Sequence, residues 1–472
     1  MGTEETVYAG EARLKAADFI KNPMELRATL EARGAFRFVP FKSGLFPASN
    51  ISAELAQLTE MDMGWLRDNA HTGNALYEDG RLDLAVPVAV AMIKILDANM
   101  DIIDGVVSGR DRSRRIPVRY FGETLARDHE NRIQNDSVGY ALWFTTKLLK
   151  AGVIVPTLGI QNIIAQTSRY LAAIEYWHDF DQGHWEEDDR IHTTSIGAVI
   201  AGLRGAQALF QKTGYHTDIE FTTLIDRGYE TINMMHAYGL SSISKAEAQL
   251  FQAMKNPKLV GFSDPKVFHD ILATFSLHRR RHDSAELFLI EPLGVITGEE
   301  ARRIYSDNEK YLERFKGTGR YVGDSYWGGR DFDKEMSITE RTRSAPGRLE
   351  QRNQKAAQIA QNKTEAQWTL FDPVKSEIAG NWYFDTYDPD CLDKHLKKLD
   401  RTLQLLTETE SGELHWTENF YLADRRVGNT DLWESVWLPN PHSPLLWTQA
   451  NALKMVRTFE RVVPLAKLLG HL

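Results

Sequence analysis

The sequence predicts an all-α protein of a dozen or so helices, and three observations lead there. Apolar residues recur at three- and four-residue spacing along most of the chain, the period of one helix face. Strand signals are few and isolated, at Phe36–Phe41, Arg115–Phe121 and Leu287–Ile290. The strand–helix alternation of a doubly wound sheet is absent.

In chain order, the helical runs lie near residues 12–20, 53–60, 66–78, 84–98, 138–150, 161–178 and 194–212. They continue near 219–237, 243–254, 266–277, 299–315, 364–380, 391–407 and 445–469. The longest apolar run, Leu84–Ile93, is too short to span a bilayer. Asp83 is placed to cap it and Pro87 to sit in its first turn, so it reads as a buried core helix. The most polar stretch, Asp331–Lys363, is rich in Arg, Gln and Glu and is expected to be an exposed helix or excursion rather than a domain boundary. No segment has linker composition and no fixed-period repeat is evident. The 472 residues are therefore expected to form one domain, with residues 1–50 as a peripheral N-terminal segment.

Charged residues make up 26% and apolar residues 42%, an ordinary globular balance. A net charge of -9 argues against nucleic acid as a main partner, because neutralising phosphates needs a basic face. The single cysteine, Cys391, rules out an internal disulfide and suits a reducing compartment. The first ten residues lack the basic and apolar regions of a secretory signal. They fit a loose myristoylation pattern at Gly2 and Thr6, but no basic patch accompanies it. A cytoplasmic protein without membrane contact is the expectation, and the sequence is silent on its oligomeric state.

The connections carry more chemistry than the helices. Long ones at 61–71, 108–136, 176–193, 278–298, 317–335 and 414–444 mix aromatic, charged and amide groups. Long loops between packed helices cost entropy to order and are often functional. Tryptophans lie in or beside them at positions 65, 143, 177, 185, 327, 416, 433, 437 and 447. An indole face stacks on a sugar ring while nearby acids and arginines take the hydroxyls; the plainer alternative is a core anchor.

One stretch stands out: Gly183-His184-Trp185-Glu186-Glu187-Asp188-Asp189-Arg190. Four consecutive carboxylates repel one another, and the cheapest relief is for one to hold a proton. A neighbouring Trp would desolvate that acid in the same direction, which is how a carboxyl becomes a general acid. Alternatively, the acids complement the dipole of the following helix, capped by Thr193, Thr194 or Ser195. Other clusters are weaker. His178, Asp179, Asp181 and His184 lack metal-site spacing, and the basic run His278–His282 reads as a solvated face. No H-E-x-x-H or paired-Cys pattern supports a metal site, and without a phosphate-binding loop or dinucleotide fingerprint no nucleotide cofactor is expected.

Five stretches, taken together, resemble the glucoamylase family of glycoside hydrolases. They are Gly64-Trp65-Leu66-Arg67-Asp68-Asn69, Gln134–Tyr140, Gly183–Glu187, Arg320–Trp327 and Ser443–Gln449, in the family's order over roughly residues 60–465. The likeness is to a bacterial branch, which also resembles the N-terminal domains of the phosphorylase kinase α and β regulatory subunits. It implies an (α/α)6 barrel of the six-hairpin glycosidase type, with few short strands in its loops and the active site where the long loops gather. It further implies hydrolysis of α-glucosidic bonds with inversion. Inversion needs two carboxyls roughly 6.5–9.5 Å apart, one protonated and one ionised, with a water between.

On this resemblance Glu186 matches the general acid, and Glu187 the second glutamate that binds sugar hydroxyls. Arg67 and Asp68 match the pair that grips the non-reducing-end glucose. Asp136, Arg320, Asp324 and Tyr326 fall on further sugar-contacting loops, and Trp65, Trp185 and Trp447 would form apolar walls. Two residues compete for the base. Glu418, in Trp416-Thr417-Glu418-Asn419-Phe420-Tyr421, resembles the branch's P-E-x-Y-Y pattern, with Thr417 where Pro is common; Glu434 lies nearer the last helix. Glu418 is favoured. A non-catalytic, carbohydrate-sensing domain like that of the kinase subunits is the alternative function. Phosphorolysis is disfavoured, since an anionic group opposite Glu186 would repel phosphate.

Overall fold

The structure, a computed structural model, describes residues 14–50, 61, 63–128, 133–245, 247–248, 280–329, 349–409, 411–426 and 433–472. Twelve helices carry the architecture: α1 (Pro23–Ala32), α2 (Leu66–Glu78), α3 (Leu82–Ala98), α4 (Asn135–Lys150), α5 (Leu158–Ala173) and α6 (Thr193–Thr213), then α7 (Phe221–Ala237), α8 (Leu287–Ile290), α9 (Gly298–Tyr311), α10 (Phe371–Thr386), α11 (Pro389–Gln404) and α12 (Leu446–Leu468). The even-numbered helices form a closed inner ring. Helix α2 packs on α4, α4 on α6, α6 on α8, α8 on α10, α10 on α12, and α12 back on α2. The odd-numbered helices lie outside: α3 on α2 and α4, α5 and α7 on α6, α9 on α8, α11 on α10, and α1 on α12. This is the (α/α)6 barrel implied by the resemblance.

Burial follows position in the ring. Nearly every residue of α4 from Asn135 to Leu149 is buried, whereas α11 buries one stripe that includes Leu392, Leu399 and Leu403. A helix covered on all sides is apolar or small all round, and a covering helix is amphipathic. Local signals fix the ends: Thr157 accepts a hydrogen bond from Ile160 N at the start of α5, and Asp388 caps α11 with Pro389 at its first position. Gly214, at φ 72°, closes α6.

Several sequence expectations need correction. Leu287–Ile290 is not a strand but the one-turn inner helix α8; a short apolar run fits either element, and closing the ring decides it. Residues 36–41 are irregular, and of Arg115–Phe121 only Arg119–Phe121 is a strand, paired with Met63–Trp65. Helix α3 starts at Leu82 rather than after an Asp83 cap, which puts Pro87 inside it. The runs near 53–60 and 266–277, and most of 243–254, lie outside the described residues. The stretch 414–444 contains a hairpin, Asn419–Arg426 with Trp433–Pro439. It extends through Gln367–Trp368 and Gly317–Thr318 to Glu313–Arg314 as a five-stranded sheet. No helix among the described residues is long and apolar enough to cross a membrane.

Candidate active site

All six inner helices begin at the same end of the barrel, and several motif residues sit at or just before those starts, while Arg320–Trp327 lies in the long connection before α10. Arg67 and Asp68 open α2, Asp136 opens α4, and Trp447 opens α12. The acid stretch precedes α6 but does not form its first turn, since the strand Arg190–His192 intervenes, paired with Ser242–Ser244. The helix starts at Thr193 with no side-chain cap, so the dipole-complement reading of the acids does not hold.

Instead, Gly183–Trp185 forms a short 3-10 turn that ends at Glu186 in left-handed backbone, φ 56° and ψ 42°. That turn sends neighbouring glutamates to different partners. Glu186 Oε1 lies 3.5 Å from Arg67 Nη2, with its side chain 16% exposed. Glu187 accepts from Arg320 Nη2 at 2.9 Å and from the Tyr321 hydroxyl at 2.7 Å, and it pairs with Arg280.

Arg67 is the hub of the first group. Its Nη1 donates to Gln134 Oε1 at 2.9 Å and Asp136 Oδ2 at 3.3 Å, and its Nε to Asp68 Oδ1 at 3.3 Å. The guanidinium also lies over the Trp447 ring, 5.4 Å from its centroid. Burial works against the Arg67 charge, but Asp136, Asp68 and Glu186 outweigh it and hold the group charged. Burial pushes the Asp68 carboxyl up to about 6 despite the adjacent Arg67, with Glu186 adding to the rise. Asp136, wholly buried, is raised by the same desolvation. Its Oδ2 also faces His184 Nδ1 at 3.3 Å, and His184 Nε2 meets the Tyr140 hydroxyl at 3.1 Å.

Arg320 is the hub of the second group. It grips Asp324 through two bonds of 2.7 Å, the fork geometry that suits a carboxylate. Its guanidinium is bounded by the rings of Trp185, Tyr326 and Trp368, with centroids at 5.1, 4.8 and 5.1 Å. Trp185 is fixed from behind, its Nε1 donating to Asp283 Oδ1 at 2.9 Å. Burial raises Asp283 to about 6.

Glu418 stands at the root of the hairpin, against Tyr326. The Tyr326 hydroxyl donates to its Oε2 at 3.1 Å and lies 3.3 Å from Oε1. Glu434 pairs in register with Arg425, six residues up the strand from Asn419, or about 20 Å away. The two candidates for the base are therefore at opposite ends of the hairpin, and it is Glu418 whose carboxylate meets Tyr326 of the aromatic group around Arg320. Trp65 packs apart from the main core, with Ala48 and Met63, beneath the Arg119 guanidinium.

Sequence reasoning missed several partners, Asp283, Trp368, Asn440 and His442, and reached Gln134 only as the first residue of a motif. Arg280 was legible only as part of a basic run, and Tyr321 only as a motif neighbour. The residues weighed as metal ligands are engaged by other partners. Asp179 takes Arg115 and Asn135, Asp181 takes the amides of Asn135 and Gly183, and His184 faces Asp136. Among the described residues no group of three or more His, Cys, Asp or Glu is placed to hold a metal ion.

Comparison with known proteins bears on the family and the fold. The family described as Glycosyl hydrolases family 15 matches residues 39–382. No curated protein matches the chain. Among solved structures, a wild-type glycosidase superposes with TM-score 0.56 at 14% identity, covering 94% of this chain and 97% of that one. The glucoamylase from Saccharomycopsis fibuligera gives 0.53 at 15% identity, covering 98% of each chain. A bacterial glucoamylase complexed with acarbose gives 0.52 at 15% identity, covering 89% of this chain and 53% of that one. At these identities the likeness speaks for the fold.

Proposed function

The chain belongs to glycosyl hydrolases family 15, and from that premise we propose that it hydrolyses α-glucosidic bonds with inversion, releasing glucose from α-glucans or oligosaccharides. Glu186 is the general acid and protonates the leaving glycosidic oxygen. Glu418 is the general base and takes a proton from a water that attacks the anomeric carbon from the opposite face. Arg67 and Asp68 bind the outer hydroxyls of the terminal glucose, where a guanidinium fork beside a carboxylate acceptor suits a vicinal diol. Asp136, Glu187, Arg320, Asp324 and Tyr326 complete the polar lining, and Trp185 and Trp447 form apolar walls, with Trp65 beyond them.

One observation carries this reading: the contrast between two glutamates in one constellation. Glu186 Oε1 faces the Arg67 guanidinium at 3.5 Å, whereas Glu418 Oε2 accepts from Asn419, Asn440 and His442. Such unequal environments are how two carboxyls divide acid and base work. Glu418 lies beyond residue 382, where the family match ends, so its role rests on its contacts and on the resemblance of its loop.

The test is glucose release from maltooligosaccharides, with the anomer followed by NMR. Inversion gives β-glucose as the first product. Glu186→Gln keeps its fold and loses turnover by about 100-fold or more, because an amide cannot donate the acidic proton. Tight oligosaccharide binding by the wild type without any hydrolysis would favour a carbohydrate-sensing domain instead.

A further inference from the structure

Glu418 is held in an unequal way. Its Oε2 accepts from Asn440 Nδ2 at 2.5 Å, from His442 Nδ1 at 2.8 Å and from Asn419 Nδ2 at 3.2 Å. Its Oε1 has the Tyr326 hydroxyl alone, at 3.3 Å, among the described residues. The donors are themselves fixed. The Thr417 hydroxyl lies 2.7 Å from Asn440 Oδ1, and the backbone N–H of Asn419 donates to the same oxygen at 3.4 Å. With Oδ1 committed to these donors, Nδ2 of Asn440 is the end that faces the carboxylate. His442 is wholly buried and its backbone carbonyl accepts from Glu418 N at 2.9 Å, so backbone and side chain are locked together. Its Nε2 is buried with no partner among the described residues, while Nδ1 is within bonding distance of a carboxylate. That asymmetry selects the tautomer with the proton on Nδ1.

We infer that His442, oriented with Asn440 and Thr417, is a positioning residue that clamps Oε2 of Glu418 and leaves Oε1 as the oxygen that takes the proton from water. This rests on the proposed role of Glu418 as base. The physical need is clear: a carboxylate free to rotate about its last bond would present either oxygen, and a shift of about 1 Å at a reacting group can cost about 100-fold in rate. The titratable and charged neighbours of the clamp are few. His442 meets Glu418, the edge of Trp327 and the amide of Asn440; Glu418 adds the Tyr326 hydroxyl.

The experiment compares wild type, Glu418→Gln, His442→Asn and His442→Phe on a maltooligosaccharide, reading kcat and KM separately with thermal midpoints as a folding control. An asparagine amide can stand where the Nδ1 proton stood, whereas phenylalanine fills the space and donates nothing. The expected result is a fall in kcat of about 100-fold for His442→Phe with KM little changed. His442→Asn should recover most of that loss. Equal losses in both variants would assign the ring a packing role and overturn the inference, as would a kcat kept by a folded His442→Phe. If Glu418→Gln kept its rate, the base assignment would fall and this inference with it. A wild type without turnover would overturn both.

Discussion

A single backbone angle separates two adjacent acids that would otherwise share one environment. Glu186 holds φ 56°, a left-handed conformation that costs a non-glycine residue about 1–2 kcal/mol. Such cost is retained where the surrounding structure over-determines it, and it concentrates at functional sites. The effect is to give Glu186 to Arg67 and Glu187 to Arg320, Tyr321 and Arg280. Arg320 then matters through its shape as much as its charge. It spends a fork on Asp324, one nitrogen on Glu187 and its flat faces on three aromatic rings. Lysine keeps the charge but offers neither fork nor plane. Arg320→Lys should lose at least one charge-assisted bond worth about 1.5–3 kcal/mol. The outcome expected is a lower melting temperature and kcat/KM on maltooligosaccharides reduced by about 10–100-fold. A variant matching wild type in both would show that the fork holds nothing.

The inner helices approach each other through small residues, and this sets where the site residues stand. A Cβ on Gly139 would sit 2.5 Å from the backbone of Ala198 and Val199, and one on Gly202 would meet the Gly139 carbonyl oxygen at 2.8 Å. Helices α4 and α6 therefore touch backbone to backbone, with no flexible side chain to give way. Gly139→Ala should force them apart and cost about 1–3 kcal/mol, read as a lower urea midpoint. Gly139 is one turn from Asp136, so activity should fall together with stability; unchanged midpoint and rate would mean the helices are not in tight contact there. Helices such as α2, α4, α6 and α12 were legible because long periodic runs leave little choice of element. The hairpin Asn419–Pro439 was not, because its residues read as an aromatic loop and its partner strands at Gln367–Trp368 and Gly317–Thr318 are two residues long. The same divide runs through the site. Arg67, Asp136 and Glu186 sit in motifs that can be recognised, while His442, Asn440 and Asp283 owe their places to tertiary packing that no local spacing announces.

At the scale of the whole barrel, every inner helix points its N-terminus at the site. The aligned partial positive charges favour the anions in their first turns, Asp68 and Asp136. Burial opposes that help. Asp68 and Asp283 rise from 3.8 to about 6, and Asp136, Asp181 and Glu377 are raised by burial as well. A carboxyl raised in the folded state binds more protons folded than unfolded, so stability falls as pH rises from about 4 to 6 for the first two. His236 acts in the same direction. Burial alone would lower it, but Glu286 at 2.8 Å and Glu300 at 2.7 Å hold both ring nitrogens and raise it. Its contribution is complete below the ordinary imidazole value and is lost as pH rises through the higher folded one. Opposing these, Glu78 and Asp372 are depressed, chiefly by Lys454 and Lys147 for the first and Lys375 and Arg401 for the second, against the cost of burial. Their stabilisation is present above the ordinary carboxylate range and is lost toward strong acid. Burial also lowers His71, His184, His192 and His395, whose stabilisation grows as pH rises toward the ordinary imidazole value. Above that value the losses from His236, Asp181 and Glu377 remain, so the urea midpoint should decline from about pH 7 to 8. Relative to wild type, the midpoint of Asp283→Asn should gain as pH rises from about 4 to 6, because one of the raised carboxyls no longer titrates. A midpoint that climbs steadily from pH 5 to 8 would mean that the buried imidazoles held neutral, and not the buried protonated carboxyls, govern the stability of this barrel.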